Sequence, residues 1–167
     1  VREIKMRTRI FSNDKVVTKE GSKLKIICDD DSIISQGEKS EMIIDEYIYS
    51  PAKKDKNNCS LKFLKGIFRV ITGKITKLNP ERFKVRTNMA TIGIRGCDLG
   101  FTVTELKENV YVIKLDGHDS ITVESARQKG LWKDLIKGTW EDKPDIAKKQ
   151  LLKVITEPDT VISITPD

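Results

Sequence analysis

The sequence predicts an all-β body followed by a short helical segment. Up to about residue 125, short runs alternate apolar and polar side chains, which is typical of strands with one buried face. Turn-forming residues interrupt these runs about every 8–12 positions, and after Gln128 the apolar spacing becomes helical. We therefore predict a β domain over residues 1–127 and a C-terminal extension over 128–167 that packs on it. The alternation alone leaves a barrel and a sandwich equally open.

The first part of the chain carries five predicted strands. They cover residues 3–11, 15–18, 24–28, 32–35 and 41–49. In the third strand, Leu24, Ile26 and Cys28 alternate with lysines, so one face should be buried and the other wet. The polar run SPAKKDKNNCS at 50–60 then predicts a long loop.

Three consecutive aspartates, Asp29, Asp30 and Asp31, separate the third and fourth strands. Calcium loops place their ligands at alternating positions around a glycine, and this run does not follow that spacing. We therefore predict a turn held by Asx-type hydrogen bonds rather than a cation site.

Short strands are also predicted in the middle of the chain. Residues 61–72 are predicted to form a strand pair, residues 78–81 a turn, and residues 83–87, 91–95 and 101–104 single strands. A hairpin is predicted from residues 110–114 and 120–124, because Asp116-Gly117 is a strong turn signal.

The C-terminal extension is predicted to contain one helix or two short ones. Leu131, Leu135, Ile146 and Leu151 recur at helical spacing, as do Val154 and Ile155. A closing strand is predicted over 160–166. Trp132 and Trp140 are candidate partner-binding residues, and the alternative is that they anchor the helix on the β body.

Four isolated glycines interrupt the strand-like sequence between residues 61 and 104: Gly66, Gly73, Gly93 and Gly96. Only glycine adopts a positive φ without a steric penalty, so such positions usually mark bulges, bends or close approach of two backbones. We interpret all four as structural, and Gly93 and Gly96 as tight bends.

Arg86 and Arg95 are the most informative charges of this stretch. Arg95 lies between Ile94 and Gly96, so we expect it to be partly buried and paired. One hypothesis is a structural latch between adjacent turns, and the other is a contact point for an acidic partner.

Composition limits the function further. The 167 residues carry a net charge of +6, which favours anionic partners, but aromatic residues are only 6% and no nucleic-acid-binding motif is present. No apolar run is long enough to span a membrane. The chain opens on the charged VREIKMRTRI without a signal peptide, so we expect a mature product or a trimmed chain.

No set of residues indicates catalysis, a metal or a cofactor. His118 is the single histidine, and the three cysteines, Cys28, Cys59 and Cys97, show no CxxC spacing. The sequence does not choose a disulfide pair among them, and Cys28 and Cys97 lie in apolar runs typical of inert buried thiols.

Three segments carry a family resemblance. MIIDEYIYSP at 42–51, LKGIFRVITGKI at 64–75 and ATIGIRG at 90–96 resemble the FecR domain family, which is named for a periplasmic regulator of iron-dicitrate uptake. The resemblance covers roughly residues 20–105. The chain departs from the family at Cys97, where a small hydroxyl residue is usual, and at Asp31, which replaces the glycine of an Asp-Gly-Ser turn.

The resemblance implies a twisted β-solenoid-like coil of short strands. It also implies a non-enzymatic periplasmic or exported sensor or scaffold that signals through contacts with a protein partner in the envelope. The best-known members also carry a membrane anchor and an anti-sigma segment, and this chain shows neither. The alternative function is an exported cell-surface module that binds an anionic glycan or cell-wall polymer, which the positive charge favours.

Overall fold

The structure, a computed structural model, describes residues 2–125, 153–155 and 161–164. In these residues, ten strands form one branched sheet that remains open. The predicted all-β class is therefore confirmed. The finer prediction, a solenoid-like coil or a barrel, is not confirmed, because the sheet of the described strands is not closed.

The strands are numbered in chain order. They are β1 (Lys15–Val17), β2 (Leu24–Ile27), β3 (Ile33–Gln36), β4 (Glu41–Ile48), β5 (Asn58–Ile71), β6 (Phe83–Arg86), β7 (Ala90–Val103), β8 (Glu108–Ser125), β9 (Lys153–Ile155) and β10 (Val161–Ile164). Helix α1 spans Lys74–Leu78, and 3₁₀ turns span Lys54–Lys56 and Pro80–Arg82.

Strand β5 is the branch point of the sheet. Up to Lys65 it pairs antiparallel with β4, and from Phe68 it pairs antiparallel with β3. On its other side, the first half pairs parallel with β6 and the half from Gly66 pairs antiparallel with β7. The change of partner falls at Gly66, whose φ of 113° is disfavoured for other residues.

Three strands are much longer than the sequence predicts. The predicted pair at 61–72 is the single strand β5, and 91–95 and 101–104 join in β7. The predicted hairpin at 110–124 is wrong, because β8 runs through it. Between the pairs Arg95–Ser120 and Cys97–Leu115, residues 116–119 of β8 lie opposite Gly96 alone and form a bulge. Pairing along the whole of β7 therefore outweighs the local Asp-Gly turn preference.

Other predictions need correction near the chain ends. Residues 3–11 form no strand, and the backbone turns at Arg7 (φ 67°) and Asn13 (φ 70°). Helix α1 lies well before the predicted helical region. Residues 153–155 form β9 rather than helix, whereas β10 confirms the closing strand and pairs with β8. The rest of the predicted helix lies outside the described residues.

The hydrophobic core is built on alternating residues of the central strands. Phe63 stacks on Phe68 with ring centroids 4.0 Å apart, and Phe101 meets Phe63 edge-on at 5.2 Å. All three rings are fully buried. Each aromatic pair stabilises the fold by about 0.5–1.5 kcal/mol beyond the contribution of burial. The core therefore holds β5 and β7 in a fixed register and orients the outer face of the sheet.

Candidate protein-docking surfaces

Arg86 and Arg95 lie on the outer face of β6 and β7. Arg86 donates from Nη2 to Ser60 Oγ at 3.3 Å, and its Nε lies 3.9 Å from a carboxylate oxygen of Asp45. Arg95 pairs with Glu81 in the 3₁₀ turn before β6. Its side chain is 43% exposed, so the expected burial is not found, although the ion pair ties β7 to that turn.

A shallow hollow lies beside Arg95. Lys84 of β6 is opposite Gly93 of β7, and both line a space of about 110 Å³. Glu124 also lines this space. Acidic and basic groups are mixed here, so the hollow has no strong preference for an anion. Trp132 lies outside the described residues, as does Trp140.

The four motif glycines serve different purposes. Gly66 and Gly96 have positive φ, 113° and 76°, and confirm the predicted special backbone conformations. Gly73 has a negative φ, but a Cβ there would lie 2.5 Å from the backbone nitrogen of Ser32. Gly93 is not a tight bend, because it lies inside β7 without a positive φ.

We expect Gly93→Ala to be mild. Its Cβ would meet chiefly the Thr122 hydroxyl, at 2.6 Å, and that side chain can rotate. The loss in free energy of unfolding should be about 1 kcal/mol or less by urea denaturation. A loss of several kcal/mol that persists in the double variant Gly93→Ala/Thr122→Ala would contradict this explanation.

Asp30 forms a buried polar latch. Its carboxylate accepts hydrogen bonds from Tyr47 Oη (2.9 Å), Ser32 Oγ (2.7 Å), Ser32 N (3.2 Å) and Ile75 N (3.2 Å). The predicted Asx turn is thus present. The contacts with β4 and α1 were not predicted, because they join residues 17 and 45 positions apart.

Asp31 sets the geometry of the β2–β3 turn. Its φ of 66° is the conformation that a glycine takes most easily, which explains how an aspartate occupies the family's glycine position. Asp31 N donates to Cys28 O at 3.0 Å, and Cys28 N donates to Ser32 O at 2.9 Å. These bonds fix the register in which β2 pairs with β3.

Strand β2 is an edge of the sheet in the described part of the chain, where it pairs with β3 alone. Hydrogen-bonded pairs alternate along an antiparallel ladder. Because Cys28 bonds to Ser32, the backbone groups of Ile26 face β3, and those of Lys25 and Ile27 point outward. Ile27 is 70% exposed. Unpaired groups of this kind can accept an added strand.

A groove of about 390 Å³ lies beside this edge. Lys25 of β2 is opposite Ser35 of β3. Gly37, which directly follows β3, donates from its backbone nitrogen to Ile67 O of β5. The small Ser35 and Gly37 therefore form the floor, with Lys23 and Lys25 on the β2 side and the exposed Ile67 opposite.

Glu108 holds the turn between β6 and β7. Its buried carboxylate accepts hydrogen bonds from the Thr87 hydroxyl and from the backbone nitrogens of Asn88 (3.1 Å) and Met89 (3.3 Å). Desolvation raises the pKa of this carboxyl above its usual value, and the hydrogen bonds only partly oppose the shift.

We expect Glu108→Gln to change how stability depends on pH. A pKa that is raised in the folded state gives the wild type an advantage below the unfolded pKa, near 4.5, and the advantage is lost as pH rises through the folded pKa. The neutral amide of the variant does not carry the desolvation cost that the buried carboxylate carries at neutral pH. Acidification should therefore raise the free energy of unfolding of the wild type relative to that of the variant. Urea denaturation from pH 7 to 4 measures this, with exposed Glu105→Gln as the control. A pH-independent difference would contradict the expectation.

The thiols of Cys28 and Cys59 are not activated. All three cysteines lie in the described part of the chain, and none forms a disulfide. Burial and the nearby aspartates raise the pKa of Cys28 to about 12, and burial raises the pKa of Cys59. Such thiols stay protonated and are poor nucleophiles. Within residues 2–125, 153–155 and 161–164, no three metal-ligating side chains cluster.

The FecR protein family model matches residues 14–118, more than half of the chain, so the chain belongs to the FecR family. No curated protein sequence gives a significant match. Among the described residues, no helix has the length and apolar character needed to cross a membrane.

The fold is similar to two crystal structures, at 1.65 and 2.50 Å resolution, of a protein from Parabacteroides distasonis described as a candidate anti-sigma factor. Each aligns with a TM-score of 0.57 and 12% sequence identity over 91% of this chain. This chain spans 55% of the length of that protein. At this identity the likeness concerns the fold.

Proposed function

We propose that this FecR-family domain is a non-enzymatic regulatory module that acts by binding another protein. The observation that carries the proposal is the outward-facing backbone of β2 beside an open groove. A strand edge recognises polypeptide backbone, which a small substrate does not supply. The similarity in fold to a candidate anti-sigma factor supports a signalling context.

The location proposed for the domain is the periplasm or the cell exterior, which the FecR family membership favours. The burial of Cys28 and Cys59, which raises the pKa of both thiols, is compatible with this location, because such thiols react slowly in an oxidising compartment. Fractionation of cells that express the gene should place the protein outside the cytoplasm, and an entirely cytoplasmic pool would overturn this part of the proposal.

An alternative is binding of an anionic glycan. Its specific support is the exposed Lys84, Arg86 and Arg95 on one face of β6 and β7. Arg86 and Arg95 already lie near carboxylates, which weakens their attraction for a further anion. We therefore favour the protein partner.

Site-specific photocrosslinking tests the protein partner. A photoreactive residue placed at Ile27 of the whole chain should give a discrete crosslinked protein in envelope preparations. The same residue at exposed Leu106, in the turn between β7 and β8, is the control. Absence of any crosslinked protein from either position, with saturable binding to an anionic glycan that Arg86→Ala/Arg95→Ala abolishes, would favour the alternative.

A further inference from the structure

We propose that β2 binds an extended segment of another polypeptide in which acidic and apolar side chains alternate. The inference rests on the proposed function and specifies the partner's chemistry. It follows from three features of one edge: the direction of the free backbone groups, the charge beside them and the partly covered side chains behind them.

The backbone sets the length and conformation of the segment. Lys25 and Ile27 present two outward N–H groups and two outward carbonyls, spaced two residues apart along the strand. An added strand would bond to all four groups, as strands do within a sheet. The segment must therefore be extended over about five residues or more and must lack proline at the bonding positions.

The outer face sets the charge of the segment. Lys23 and Lys25 lie at the groove and form no ion pair with any carboxylate in the described part of the chain. The neighbouring Arg69 is already neutralised by a two-bond pair with Asp98, at 2.8 and 2.6 Å. The two lysines are thus available to a partner, and directly opposed charges of opposite sign stabilise strand pairs.

The inner face sets the alternating apolar positions. Leu24 and Ile26 point towards the core but are only half-buried, because no described strand covers them from the edge side. Side chains of an added strand alternate between the two faces. Those on the inner face would cover Leu24 and Ile26 and should be apolar, while those on the outer face meet the lysines and should be acidic.

The same lysines disfavour a second copy of this chain at the edge. Pairing β2 with β2 of another molecule would gather Lys23 and Lys25 of both copies on one narrow surface. Lysine on an edge strand opposes self-pairing in this way. A partner of opposite charge removes the repulsion, so the edge discriminates between the two occupants.

Peptide binding to the whole chain tests the inference. The probe is a labelled nine-residue peptide of alternating Val and Glu, compared by fluorescence anisotropy with a Val–Lys peptide and with a peptide that has the same composition in two blocks. The Val–Glu peptide should bind at least about tenfold more tightly than either, because only it matches both faces. Equal binding of the three peptides would overturn the proposal.

Two pairs of variants locate the binding. Lys23→Glu/Lys25→Glu should lose about tenfold in affinity and prefer the Val–Lys peptide, whereas Lys53→Glu/Lys56→Glu, in the loop after β4, should not. Ile27→Pro removes an outward N–H and should weaken binding, whereas Ile27→Ala keeps it. Urea denaturation checks that each variant folds. If Ile27→Pro does not fold, the charge-reversed variant alone decides whether the peptide binds at β2.

Two further measurements distinguish the other outcomes. If sedimentation shows a dimer that Ile27→Pro dissociates, a second copy occupies the edge and the inference fails. If crosslinking from Ile27 recovers the same envelope protein from wild type and from the charge-reversed variant, the protein-binding function stands but the lysines do not select the partner, and the inference fails. Recovery of no partner from either contradicts the proposed function itself. We expect that charge reversal abolishes crosslinking of the partner. We also expect that the preferred peptide changes with the sign of the charge at residues 23 and 25.

Discussion

Replacing Asp30 by Ala should cost about 3–5 kcal/mol of unfolding free energy, one of the two largest effects we expect in this domain. The carboxylate is fully buried and satisfies the Tyr47 hydroxyl, both donors of Ser32 and the N–H of Ile75. Alanine would leave the donors of Ser32 and Ile75 buried without an acceptor and would remove a partner of the half-buried Tyr47 hydroxyl. Urea denaturation of the whole chain measures the loss.

The neighbouring aspartates provide matched controls. Asp29 is exposed, so Asp29→Ala should change the free energy of unfolding by about 0.5 kcal/mol or less. Asp31→Gly should be neutral or stabilising, because glycine relieves the positive φ, although an exposed ion pair with Lys74 is lost. If Asp30→Ala were as mild as Asp29→Ala, the carboxylate would not be the latch.

Gly66→Ala should be about as severe, with an expected loss of about 3–5 kcal/mol. The φ of 113° is strained for alanine, and the added Cβ would lie 2.6 Å from the Ser40 Cα, a backbone atom that cannot rotate away. Ser40 also accepts from Ile67 N at its hydroxyl and from Thr18 N at its carbonyl, so moving it disturbs both neighbours.

Gly21→Ala separates strain from crowding. Gly21 also has a positive φ, 68°, but a Cβ there would meet nothing within 4 Å. The cost should be about 1–2 kcal/mol, that of the backbone conformation alone. Equal losses at Gly21 and Gly66 in urea denaturation would show that contact with Ser40 contributes nothing.

Local alternation predicted much of the fold. The patterns of Leu24–Ile27 and Phe83–Arg86 correspond to strands β2 and β6, because each has one buried and one wet face. The continuity of β8 could not be predicted in the same way. An Asp-Gly turn is a local preference, whereas the pairing of β8 with β7 depends on residues far away in the chain.

The candidate site shows the same division. Lys23 and Lys25 predicted a wet face, but only the pairing of the described strands shows that β2 is an edge among them. Arg95 was expected to be partly buried because its sequence neighbours are apolar, yet alternation in β7 places it outside, next to Glu81. Asp30 gave no signal of burial, since its partners come from β4 and α1.

Amide hydrogen exchange tests the central claim, a free β2 edge that accepts a strand. In the isotope-labelled whole chain, the Ile26 amide should be protected by β3, while those of Lys25 and Ile27 exchange rapidly. Adding the Val–Glu peptide should slow Lys25 and Ile27 selectively. Protection of Lys25 and Ile27 equal to that of Ile26 in the chain alone would show that the edge is already covered, and would contradict the account.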